Sequence, residues 1–160
     1  MLSNKDKFNL FIQITKRLNK ELLVNPILFG SLGLSLLLVQ EIKVNDIDIL
    51  IPKKLLENKW QQIIKIMEDF GFYLNNENEH QFLKDEYEVA FAQEDDLAKF
   101  IGDGVRDFKL VKQAGVNYRA LSLEQYLLTY QTLLRDNYRQ EKRGTADKDK
   151  IKMIKKALNS

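Results

Sequence analysis

The chain has 160 residues, 44% of them hydrophobic, with 25 Lys and Arg against 23 Asp and Glu for a formal charge of +2. That length fits one compact domain, and the near balance of charge excludes a polyelectrolyte. The absence of cysteine excludes a disulfide framework, a thiolate metal site and a cysteine nucleophile, and the single histidine, His80, excludes a multi-histidine site.

The polar start Met1-Leu2-Ser3-Asn4-Lys5-Asp6 carries no secretory signal pattern. The longest apolar run, Leu32 to Val39, is too short to span a bilayer. A soluble cytoplasmic protein without a membrane partner is the expectation. Phe8, Phe11, Ile12, Ile14, Leu18 and Leu22 recur near helical spacing and predict a helix over Phe8 to Leu23. Pro26 breaks it, and Ile27-Leu28-Phe29 reads as a short buried strand ending at Gly30. Ser31 is expected to cap an apolar, buried helix from Leu32 to Val39. Asn45 to Ile51 predicts a second strand, closed by Pro52. Lys53 to Phe70 predicts one long helix with Gly71 at its C-terminal end.

A strand from Phe72, a turn at Asn75 to Asn78 and an alternating strand from Gln81 to Ala92 follow. On the last, Glu86, Glu88 and Ala90 share one face, with Tyr87, Val89 and Phe91 on the other. Asp95 to Arg106, with Gly102 and Gly104, reads as a loop or short helix, and Phe108 to Arg119 as one or two short strands. Ser122 and Gln125 form a capping box for a helix from Leu123 to about Tyr138. Gln140 to Ala146 reads as a polar connection, and Asp147 as the cap of a final helix. Strands and helices alternate early, strands then cluster, and helices finish. That order predicts an α/β (α+β) fold with a small mixed β-sheet, over residues 1–120, and a C-terminal helical extension over 121–160 packed on the same domain.

The chemistry concentrates in the second strand. Asp46 and Asp48 point to one face, while Ile47, Ile49 and Ile51 turn to the other. Aspartate is a poor strand former. Two like charges at this spacing raise each other's pKa unless a cation sits between them. The bland reading is an acidic solvent face. Glu88 weighs against it: if its strand lies beside the second strand, three carboxylates converge, as a two-metal phosphoryl-transfer site requires. Glu86 points to the same side and competes for that role. Gly30-Ser31 permits close backbone approach to a phosphate. The Gly-Lys-Ser/Thr and Gly-x-Gly-x-x-Gly patterns are absent.

The stretch Leu28-Phe29-Gly30-Ser31, followed by Asn45-Asp46-Ile47-Asp48-Ile49-Leu50-Ile51-Pro52, resembles the nucleotidyltransferase superfamily typified by DNA polymerase beta. Asp69-Phe70-Gly71-Phe72, Leu121-Ser122-Leu123-Glu124-Gln125 and Lys148-Asp149 are similar to its small bacterial members, resistance enzymes and toxin-type proteins among them. The resemblance implies a nucleotidyltransferase fold with helices on one side of the sheet and C-terminal helices closing the cleft. It implies that Gly30 and Ser31 grip a nucleoside triphosphate such as ATP. Asp46, Asp48 and Glu88 would hold magnesium, two ions in all, and Glu88 would serve as base. A nucleoside monophosphate would pass to a hydroxyl on a small molecule, an RNA end or a protein. The alternative is a non-catalytic binding or regulatory protein of the same fold. Two features depart from the family pattern: a spacer of fourteen residues between Ser31 and Asp46, and Glu rather than Asp as third acid.

Other candidates carry less. His80 reads as a surface histidine in a turn. Lys109 and Lys112 read as solvated, with phosphate contact as the rival reading. Arg135 to Lys156 holds nine Lys or Arg against four Asp or Glu. It reads as the solvated face of two helices, with contact to nucleic acid or a nucleotide phosphate as the rival reading; the resemblance implies that Lys148 lies near the cleft. Tyr126, Tyr130 and Tyr138 read as core or rim residues.

Overall fold

Ser3 opens the first helix of the computed structural model: its hydroxyl accepts from the Asp6 amide at 3.0 Å, and the Asp6 carboxylate accepts from the Ser3 amide at 3.4 Å. The structure describes residues 3–102, 107–135 and 137–160, and for Phe100 and residues 137–145 the backbone alone. Among the expected features, Gly104 and the side chain of Tyr138 lie outside the described residues.

Helix α1 (Asn4–Leu22) turns Phe11, Ile14 and Leu18 inward. Strand β1 (Ile27–Phe29) leads into helix α2 (Gly30–Ser35), and β2 (Ile47–Ile51) into α3 (Lys53–Asn58) and α4 (Trp60–Asp69). Strands β3 (Tyr73–Asn76), β4 (Gln81–Lys84) and β5 (Tyr87–Gln93) follow. A 3-10 turn (Glu94–Leu97) runs into the short α5 (Ala98–Ile101). Strands β6 (Lys109–Gln113) and β7 (Val116–Ala120) precede α6 (Leu123–Leu134) and α7 (Asn137–Leu158). The capping box of Ser122 and Gln125 forms at the start of α6 as expected.

The strands make one mixed sheet in the order β3-β4-β5-β2-β1-β7-β6. Strand β2 runs parallel to β5 and antiparallel to β1, and β1 runs parallel to β7. The expected α/β class with a mixed sheet is therefore the observed one. Alternation splits the core between the two faces. Leu28, Ile47, Ile49, Ile51, Val89 and Phe91 face α1 and α4 in one cluster. Ile27 and Leu50 face the other way, into a second cluster with Leu97, Tyr126, Tyr130 and Ile154. Burying each such side chain stabilises the fold by about 1.5–3 kcal/mol. Among the described residues no helix is long and apolar enough to cross a membrane.

Several expectations fail locally. The helix after β1 ends at Ser35 rather than Val39, and Leu36, Leu37 and Val39 are exposed. The helix expected over Lys53 to Phe70 breaks at Lys59 (φ −122°, ψ 16°). The break lets Trp60 lie over the sheet, 5.5 Å from the Phe82 ring and 6.5 Å from Phe91. The strand expected over Gln81 to Ala92 is a hairpin. Lys84 pairs with Tyr87 around a two-residue turn, and Asp85 takes the left-handed conformation (φ 51°) that such a turn demands. Asp147 caps nothing: it lies inside α7, fully buried, and the supposed polar connection before it is helical.

Candidate active site

Strand β1 delivers the chain to Gly30 opposite Asp48, because Phe29 pairs with Asp48 across the antiparallel β1–β2 ladder. Gly30 has a φ of +72°, and a Cβ there would overlap Asp48 Oδ2 and lie 3.3 Å from its Cγ. Glycine is thus required twice, by conformation and by space. The Asp48 carboxylate packs against the backbone of the turn that opens α2. Ser31 follows, half-buried, as the second residue of α2. It is not the cap expected of it: Phe29 holds the N-cap position, without a side-chain hydrogen bond.

Asp46 stands just before β2, which begins at Ile47 rather than Asn45. In the parallel β2–β5 ladder Ile47 pairs with Val89 and Asp48 with Ala90. Extending that register one residue sets Asp46 level with Glu88. Asp46, Asp48, Glu88 and Ala90 therefore share the sheet face that Leu50 presents to the second core. Burial, and then the charge of Asp46, push the Glu88 carboxyl above its usual pKa. Glu86 has left this face: it sits exposed in the hairpin turn before β5.

Gln81 was not visible as a site residue in the sequence. It pairs with Ala90 on β5, and its Nε2 donates to Glu88 Oε1. Its Oε1 accepts from Asn75 Nδ2 at 3.0 Å, which commits the amide nitrogen to Glu88. No local pattern marks Gln81, because its parity with Glu88 follows from a turn that the alternation had hidden.

Asn4 and Lys7 carry the long spacer. Asn4 Nδ2 donates to the Ile42 carbonyl at 3.2 Å, and Lys7 Nζ donates to the carbonyl of Val44. The loop leading into Asp46 is thereby tied to the first turns of α1.

A cavity of about 370 Å³ opens beside Asp48, with Phe29, Leu50, Ala90 and Ala92 along its apolar wall and Asp96 and Lys99 at its rim. Lys99 pairs with Asp96 at 3.1 Å. Among the described residues no three Asp, Glu or His side chains gather into a ready metal cage. The donor chemistry nonetheless suits magnesium, which takes hard carboxylate oxygens and is commonly held by one or two protein carboxylates plus phosphate oxygens. Two like-charged acids set level on adjacent strands, Asp46 and Glu88, are the observation that fits a cation here.

The remaining candidates lie elsewhere. His80 packs edge-on against Trp60, with ring centroids 4.7 Å apart. Lys109 and Lys112 are exposed on β6 at the sheet edge, with β7 and β1 between them and Asp48. Lys148 is exposed on α7. Tyr126 and Tyr130 are core residues, as their spacing predicts, at 1% and 4% exposure.

No protein-family model matches the chain. An uncharacterized protein of Bacillus subtilis (strain 168), YnaI, is 34% identical over 153 residues, covering 96% of this chain and 98% of that protein. The crystal structure of ANT(2″)-Ia, an aminoglycoside nucleotidyltransferase, in complex with adenylyl-2″-tobramycin matches with a TM-score of 0.58. The match covers 94% of this chain and 88% of that one at 14% identity, which speaks for the fold. The chain belongs to the family of the uncharacterized Bacillus subtilis protein YnaI and has a nucleotidyltransferase-like fold.

Proposed function

We propose that the chain is a magnesium-dependent nucleotidyltransferase that moves a nucleoside monophosphate from a nucleoside triphosphate to a hydroxyl acceptor. The observation that carries this reading is the placement of Asp46, Asp48 and Glu88 on one face of two adjacent parallel strands, with the Gly30 turn packed against Asp48. In the reaction the acceptor oxygen bonds to the α-phosphorus, the bond from that phosphorus to the bridging oxygen breaks, and pyrophosphate leaves with that oxygen's electrons. The hydroxyl proton passes to a base. Glu88 is the carboxylate placed for that role, level with Asp46 on the adjacent strand. Asp46 and Asp48 are the residues that would hold magnesium, which offsets the charge of the triphosphate and the leaving group. The backbone at Gly30 and Ser31 would lie along the triphosphate. The adenylylated tobramycin in the ANT(2″)-Ia structure supports ATP as donor and a small molecule as acceptor; RNA ends and protein hydroxyls are the other acceptor classes.

A second reading, a non-catalytic binding protein of the same fold, has one observation on its side: Gln81 already engages Glu88. Pyrophosphate release separates the two. The protein is incubated with each ribonucleoside triphosphate, magnesium and pools of hydroxylated small molecules, RNA and protein. Release that needs both magnesium and an acceptor, and that is lost in Asp48→Asn, supports transfer. Tight nucleotide binding without release in any pool supports the second reading.

A further inference from the structure

Tyr126 lies in the first turn of α6, 1% exposed. Its ring stacks on Phe29 at 6.3 Å between centroids and on Tyr130 at 6.2 Å. Phenylalanine would fill the same apolar site without the cost of burying a hydroxyl. The hydroxyl therefore invites a specific explanation, and its contacts give one. It makes a long, 3.5 Å hydrogen bond to the carbonyl of Leu28, the residue before Phe29 in β1. It also fills the space that a side chain at position 33 would need: a Cβ on Gly33 would overlap Tyr126 Oη and lie 3.0 Å from the Leu28 oxygen. Gly33 is not among the glycines with positive φ, so its backbone alone would accept alanine. The severe overlap is with the tyrosine hydroxyl, and the Leu28 oxygen adds a lesser, tight contact. The phenol also feels Asp48: burial, Tyr130 and the Asp48 charge all push its pKa well up.

We propose that Tyr126 is a positioning residue whose hydroxyl, wedged between Gly33 and the Leu28 carbonyl, sets α2 on the end of β1 and so holds the Gly30 turn against Asp48. The C-terminal helices then belong to the geometry of the nucleotide end of the site rather than serving as a cover alone. The proposal takes the Gly30 turn and Asp48 as that nucleotide end, and so rests on the function proposed above.

Three variants test it: Tyr126→Phe, Gly33→Ala and the double variant. Amide hydrogen exchange is followed at Leu36 and Leu37, which bond to Gly33 and Leu34 at the C-terminal end of α2 and so report how firmly α2 is seated, and at Ile49 in β2 as reference. Magnesium-ATP affinity is measured alongside. Tyr126→Phe is expected to speed exchange at Leu36 and Leu37 about three- to tenfold, the worth of one hydrogen bond, with Ile49 unchanged. ATP affinity is expected to fall by a similar factor. Gly33→Ala should do more damage in both readouts, and removing the hydroxyl beside it should restore part of the loss. Unchanged exchange at Leu36 and Leu37 in Tyr126→Phe overturns the proposal, as does equal acceleration at Ile49, which marks plain loss of stability. If the native protein binds no nucleotide, the proposed function falls, and the exchange pattern and its repair in the double variant still decide whether Tyr126 sets the turn.

Discussion

The backbone of Gly30 lies so close to the carboxylate of Asp48 that a methyl group on it would overlap Oδ2. This contact joins the two halves of the candidate site, the turn after β1 and the acidic strand β2. Gly30→Ala meets both a clash and a left-handed conformation, since its φ is +72°. The expected cost is about 1–3 kcal/mol of stability, read from urea denaturation midpoints at constant m. A cost near zero would mean that the turn rearranges freely and that the contact holds nothing in place.

Glu88 predicts a pH dependence. Its folded pKa is raised, by burial first and by Asp46 second, so the folded state binds its proton more tightly than the unfolded state does. The favourable contribution is complete below the ordinary glutamate pKa and is lost as pH rises through the raised value. Metal-free protein is therefore expected to lose stability across that window, and Glu88→Gln to flatten the loss. Chemical denaturation at a series of pH values reads it. A native protein that gains stability over the same window more steeply than Glu88→Gln does would contradict the placement of Glu88 beside Asp46.

The acidic strand and its glycine turn were legible because a strand alternates with period two: Asp46 and Asp48 had to share a face once Ile47, Ile49 and Ile51 were buried. Glu88 was legible for the same reason, although its strand proved to be half of a hairpin. Gln81 and Tyr126 were not legible as site residues. Gln81 reaches Glu88 only because the chain reverses at Asp85 and Glu86, where three consecutive charged residues, Lys84 to Glu86, were the sole local sign of a turn. Tyr126 reaches Gly33 across 93 positions of sequence, a contact that tertiary packing alone creates. Asp147 misled as well: a residue that favours caps lies buried inside α7.

Arg119 ties β7, the strand next to the sheet edge, to the 3-10 turn after β5 and to the chain before β1. Its guanidinium donates to both oxygens of Glu94, at 2.9 and 2.6 Å, and its Nε donates to the Asn25 carbonyl at 2.8 Å. Lysine keeps the charge and loses the fork. Arg119→Lys is expected to cost about 1–2 kcal/mol, measured by thermal or urea denaturation. An unchanged melting curve would show that the fork contributes nothing beyond its charge.

Ser122 closes the first turn of α6 with a reciprocal pair of bonds: the Gln125 amide donates to its hydroxyl at 3.2 Å, and its own amide donates to Gln125 Oε1 at 2.8 Å. Ser122→Ala removes one of them and is expected to lower stability by about 1 kcal/mol. Ser122→Asp keeps an acceptor at the cap and is expected to retain most of the native stability in the same denaturation series.

On the proposed function, Asp46 and Asp48, with the turn at Gly30, form a metal-dependent nucleoside triphosphate site. Calorimetric titration with each nucleoside triphosphate tests it most directly, with and without magnesium, on the native chain and on the Asp46→Asn/Asp48→Asn double variant. Saturable binding of at least one triphosphate to the native chain is expected, weakened tenfold or more without magnesium and by the double substitution (about 1.4 kcal/mol or more). Equal affinity with and without magnesium, or undiminished binding by the folded double variant, would contradict it.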